Sequence, residues 1–123
     1  MVFWKGRKML ELSEIKINID WQQARNYAKK LGKGWRLPTK KELAIIANSP
    51  KSKKFATEGL FWSSSTRVHE TRDAWVVCFG HGDIYVDDKT DIYDARCIRG
   101  SFEDLLNWCF GDDFNIRSKA KKC

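Results

Sequence analysis

GWRLPTKKEL (Gly34–Leu43) places a glycine, a tryptophan, a proline and a run of basic residues just ahead of an apolar helical pattern. Thr39 followed by Glu42 is the T-x-x-E capping box, in which each side chain satisfies a backbone N–H that the first helical turn leaves unpaired. Pro38 holds Leu37 extended, so no helix runs through this point. Gly34 and Pro38 shape the turn, and Trp35 and Leu37 are expected to pin it to the core. The stretch therefore reads as a link between two helices, with Lys40 and Lys41 its candidates for binding.

Upstream, Trp21, Ala24, Tyr27, Ala28 and Leu31 fall on one helical face, with Asp20 and Gln23 at a second capping box and Gly32 as a left-handed stop. Downstream, Leu43, Ile45, Ile46 and Ala47 continue the second helix to about Asn48–Pro50, and residues 51–59 read as a loop. Residues 2–19 mix alternating and clustered apolar positions, which predicts one or two strands. LFWSSS, DAWVVCFG, DIYVDD and DARCIRG then read as an antiparallel meander of four strands. AWVVCF, apolar on both parities, is placed centrally in it. SFEDLLNWCFG (Ser101–Gly111) predicts a short C-terminal helix capped by Ser101. The order of elements predicts an α+β domain over residues 1–116, two main helices packed on small antiparallel sheets, with a basic tail at 117–123.

The composition is that of a soluble globular protein, and its length suffices for a core without disulfides. No apolar run approaches the roughly 18 residues of a membrane span, and no export leader is visible, so a cytoplasmic setting and free thiols are expected at Cys78, Cys97, Cys109 and Cys123. The net charge of +7 is uneven: 14 Lys/Arg face 4 Asp/Glu in residues 1–56, against 9 and 12 in residues 57–123.

W-x-x-A-x-x-Y-A-x-x-L, GWRLPTxxEL, FWSSS, AWVVCFGHGDI and DARCIRG, in this order, resemble the bacterial and phage domain family first described at the C-terminus of a Legionella collagen-like adhesin, known as DUF1566. The resemblance covers about Trp21–Gly100. It implies a C-type-lectin-like fold, shared with the formylglycine-generating enzymes and the variable proteins of diversity-generating retroelements, and a binding surface on the meander and its loops. The calcium motifs of animal C-type lectins, E-P-N or Q-P-D followed by W-N-D, are absent.

Several candidate sites follow. In the loops between the strands, Thr66, Arg67, His69, Arg72, Asp73, His81, Asp83, Tyr85 and Asp87 are of types that make good polar contacts and anchors for a protein or polyanionic glycan. Lys29, Lys30, Lys33, Lys40, Lys41, Lys53 and Lys54 form a basic patch on the helices. The competing readings of that patch are a solvated helical face and a dock for an acidic protein or nucleic acid, with nucleic acid less favoured because no nucleic-acid motif accompanies the charge. Asp83, Asp87, Asp88, Asp91 and Asp94 carry the oxygens calcium prefers, but without the spacing of a dedicated calcium loop, so turn chemistry is the favoured reading and no metal or cofactor is expected. A catalytic pairing of Cys78 with a histidine is disfavoured by strand alternation. Cys78 and Cys97 invite comparison with the copper-binding thiol pair of the formylglycine-generating enzymes, which requires neighbouring strands and an open cleft. The leading expectation is a non-catalytic binding module.

Overall fold

The computed structural model describes residues 9–111. Strand β1 (Glu11–Ile19) leads into helix α1 (Trp21–Leu31), the two-residue strand β2 (Trp35–Arg36), helix α2 (Lys40–Ala47) and the short helix α3 (Ser52–Phe55). Strands β3 (Gly59–Thr66), β4 (Asp73–Phe79), β5 (Ile84–Asp88) and β6 (Tyr93–Arg99) follow, and helix α4 occupies residues 102–111.

Both capping boxes form. Asp20 accepts from Gln23 N at 2.8 Å and Gln23 Oε1 accepts from Asp20 N at 2.9 Å, which fixes the start of α1. Thr39 Oγ1 accepts from Glu42 N at 3.1 Å and Glu42 Oε1 from Thr39 N at 2.9 Å, which fixes the start of α2. Ser101 and Asp104 exchange the same pair of bonds at the head of α4. The residues read as a loop at 51–59 contain α3, four residues that bury Phe55 completely.

The strands run β1-β6-β3-β4-β5, with β2 also paired to β6. β3, β4 and β5 form the expected meander, and β4 does lie between two partners. The fourth strand departs from it. β6 crosses back to the far side of β3, meets it in parallel at Phe61–Asp94, and pairs antiparallel with β1 and, near Ile98 and Arg99, with β2. Two antiparallel ladders are thereby joined through one parallel bridge. The expected four-strand meander fails here because β6 finds apolar partners on both of its faces beside β1 and β3, whereas β5 is a half-exposed edge.

The central strands β3, β4 and β6 are covered on both faces. Phe61, Val77, Phe79 and Ile98 pack with Leu43, Ile46, Phe55 and Leu105 on the side of α2, α3 and α4. Trp62, Val76, Ala95 and Cys97 pack with Trp21, Ala24 and Ala28 of α1 on the other. The buried indoles are satisfied: Trp21 Nε1 donates to Ser63 O at 2.9 Å and Trp62 Nε1 to Ile19 O at 3.0 Å, tying α1 and the end of β1 to β3.

In the link itself, Leu37 is buried and Trp35 is half-buried under the Arg99 guanidinium. Gly34 sits at φ 86°, where a Cβ would come within 3.1 Å of the Arg99 side chain. Arg36 donates to both carboxylate oxygens of Glu42, at 2.6 and 2.9 Å, and to Gly100 O at 3.0 Å. Glu42 is buried. Burial raises its pKa, but the Arg36 hydrogen bond, the Thr39 N–H and the Arg36 charge together hold it below its ordinary value.

Candidate functional site

The nine loop residues do not converge. Arg67, His69 and Arg72 are exposed on the β3–β4 connection, flanked by Thr66 and Asp73 at the strand ends, and Asp87 lies opposite Ala74. Arg67 Nη1 approaches Asp73 Oδ2 at 3.3 Å. Lys89 closes this end by donating from N to Arg72 O at 2.8 Å and from Nζ to Thr71 O at 2.6 Å. His81 and Asp83 lie in the β4–β5 turn at the opposite end of the strands, and Tyr85, opposite Val76, gives its hydroxyl to Asp83 at 3.3 Å. With about 3.3 Å of rise per residue along β4, the two turns stand roughly 20 Å apart. Consecutive hairpin turns fall at alternate ends of a sheet, which is why residues close in sequence part in space.

The acidic turn spends its carboxylates internally. Tyr93 donates its hydroxyl to Asp87, which together with burial pushes the phenol up to about 12. Asp88 accepts from Thr90 N and Oγ1 at 2.9 and 2.7 Å. Asp87 and Asp91 share a hydrogen bond that lowers the pKa of the first and raises that of the second. Among the described residues no three His, Cys, Asp or Glu side chains are grouped to hold a metal ion.

The thiol pair is also taken apart. Cys78 lies on β4 and Cys97 on β6, with β3 running between them, so the strands are not neighbours. Cys97 has no exposed surface, and burial pushes its thiol up to about 12. A buried, protonated sulfur separated by a strand from its supposed partner does not make the open copper site of an oxidase. The cysteines within the described residues, Cys78, Cys97 and Cys109, are free thiols, and Cys78 is half-buried.

The basic patch divides into two groups. On α2, Lys40 stacks over the Trp75 ring at 4.1 Å and Lys41 lies 5.6 Å from Phe102, while Lys53 and Lys54 are exposed on α3. On α1, Lys29 and Lys30 are exposed in the last turn, with Lys33 just beyond it. There they meet a residue that the sequence reading left out of the patch. Lys16, carried in by β1, joins Lys29 and Lys30 around a cleft of about 590 Å³ lined also by Ile19, Gln23, Asn26 and Tyr27, and among the described residues no carboxylate lines it. The Tyr27 hydroxyl donates to Glu14 O at 3.0 Å and holds β1 against α1, and the Lys16 ammonium lies 5.3 Å from the Tyr27 ring. A smaller cleft of about 310 Å³ opens on the other side of α1, with Lys29 common to both and Arg25 and Arg36 on its walls. Lys16 sits in a strand pattern thirteen residues before Lys29, so helical spacing cannot reveal the pairing; only the β1–α1 packing does.

The family model described as the Lcl C-terminal domain matches residues 2–99, so the match takes in the N-terminal strand region that the sequence motifs alone had left aside, and ends before α4. No curated protein matches the chain. Among solved structures, the crystal structure of botrocetin superposes with a TM-score of 0.53 at 10% identity, covering 77% of this chain and 93% of that one. At that identity the likeness concerns the fold, which is C-type-lectin-like.

Proposed function

The chain belongs to the Lcl C-terminal domain family, and on that footing we propose that it is a non-catalytic binding module holding an anionic ligand, an acidic protein or a polyanionic glycan, against its β1–α1 face. One observation carries this reading: Lys16, Lys29 and Lys30 surround a single cleft that no carboxylate of the described residues lines. Like charges gathered on a low-dielectric wall raise the local concentration of anions, and a fold that hosts receptors and adhesins alike supplies the rigid frame.

The test is titration of heparin and of a glutamate-rich polypeptide into the protein at rising salt. Binding is expected to weaken steeply with ionic strength, and the Lys16→Gln, Lys29→Gln, Lys30→Gln triple variant is expected to lose about tenfold or more in affinity. Unchanged binding by the triple variant overturns the assignment. A second reading, docking through the β3–β4 loop, is favoured by Val68, 79% exposed between Arg67 and His69. Arg67→Ala with Arg72→Ala would then abolish binding while the lysine triple variant retains it.

A further inference from the structure

We infer that the cleft between β1 and α1 takes an acidic peptide segment bearing one large apolar side chain, an inference that rests on the anionic-ligand reading above. The floor is apolar: Ile19 is half-buried and Tyr27 presents its ring between β1 and α1. The rim is cationic: the Lys16 ammonium lies over the Tyr27 ring, Lys29 and Lys30 are exposed, and none of the three has a carboxylate partner among the described residues. Between rim and floor lie two amides. Gln23 Oε1 is committed to the α1 cap and Asn26 Oδ1 accepts from Gln22 Nε2 at 3.2 Å, so both amide oxygens are already spent and neither is a free acceptor set against an incoming carboxylate.

A uniformly polar polyanion satisfies the rim and leaves the Ile19–Tyr27 floor wet. An acidic peptide with a Phe or Leu at its centre satisfies both, its carboxylates on the lysines and its apolar side chain on the floor. A cleft of about 590 Å³ is large enough for such a side chain and its flanking backbone. The neighbouring edge fits the same guest. β1 ends the sheet, and Ile15 and Ile17 are 39% and 64% exposed on it. Bulges on both sides of Ile15–Lys16 break the regular ladder, and Glu14 O already accepts from Tyr27, so the peptide is held through side chains rather than added as a further strand.

The experiment is fluorescence anisotropy on the full chain with three competitors of matched charge: a short glutamate-rich peptide with a central phenylalanine, the same peptide with serine there, and a heparin oligosaccharide. The phenylalanine peptide is expected to bind about tenfold or more tighter than the serine peptide. Asn26→Trp, which fills the cleft and leaves all three lysines, is expected to erase that advantage while preserving the weak, salt-sensitive binding of the serine peptide. Equal affinities of the two peptides, an advantage that survives Asn26→Trp, or tighter binding of the oligosaccharide than of the phenylalanine peptide overturns the inference and leaves the anionic-ligand reading standing. Failure of every anionic competitor to bind the native chain overturns both. A circular dichroism melt of Asn26→Trp that matches the native one separates a blocked cleft from an unfolded helix.

Discussion

The Gly34–Leu43 link and the β1–α1 cleft both gather cations, and they treat the charge in opposite ways. In the link, Arg36 gives two hydrogen bonds to Glu42 and a third to Gly100 O, while Glu42 and Thr39 exchange the cap bonds of α2. Arg36 and Glu42 are each other's counterpart there, Lys40 and Lys41 lie over the rings of Trp75 and Phe102, and the product is geometry: α2 starts where the link ends, and the end of β6 is fastened to it. In the cleft, Lys29 and Lys30 find no carboxylate among the described residues and remain in water. Ammonium groups left in water contribute little to stability and remain available to a partner. Basic density alone therefore does not separate scaffold from site in this domain. The internal partner of each cation does.

The comparison breaks most visibly at Glu42. Glu42→Ala leaves Arg36 without its carboxylate and α2 without half of its capping box. A fully buried pair loses about 3 to 5 kcal/mol when one partner is removed. Arg36 keeps 35% of its side chain exposed, so solvent screening lowers the expectation here to about 2 to 3 kcal/mol, measured by urea unfolding. Affinity of the folded variant for an anionic ligand should match that of the native chain. A pH series gives the same interaction a signature. The folded pKa of Glu42 lies below its ordinary 4.5, so its contribution is complete above that value and is lost as the pH falls through the depressed one. Glu42→Gln should remove this acid limb of the stability profile, and a limb that survives the substitution would assign it to other carboxylates. Thr39→Ala, which removes one cap bond and leaves the ion pair, should cost about 1 kcal/mol.

These contrasts also mark how far the sequence could be read. The caps of α1, α2 and α4 are local, each decided by two residues three positions apart, and all three were legible. α3 was not, because four residues are too few to show a helical period, and only the complete burial of Phe55 reveals it. The return of β6 to β3 was not legible either: DARCIRG announces a strand, but the choice between β5 and β3 as its neighbour depends on β1 and β2, which arrive from far away in sequence. The second role of Glu42 was within reach, since Arg36 lies only six residues before it, yet the capping box offered a sufficient account and hid the ion pair. In the candidate site, Lys29 and Lys30 were legible as exposed helical cations. Lys16 was not, because its place beside them is made by the Tyr27–Glu14 hydrogen bond that docks β1 on α1.

The smallest expected effect is the most discriminating. If the cleft lysines are unspent charge, replacing Lys16, Lys29 and Lys30 by Gln should scarcely alter stability even while it removes anion binding. Two small terms act against each other. Lys29 and Lys30 occupy the last turn of α1, where a positive charge interacts favourably with the carbonyl end of the helix by about 0.3 to 1 kcal/mol at low salt. Against this, the triple substitution relieves the mutual repulsion of three ammonium groups around one cleft, an effect of similar size and equally screened by salt. The net change in urea-derived stability should then stay within about 0.5 kcal/mol of zero, the range of ordinary surface substitutions, and shrink further at high salt. A loss comparable with that of Glu42→Ala would mean that the lysines are tied into the fold after all, and the cleft would join the link as scaffold.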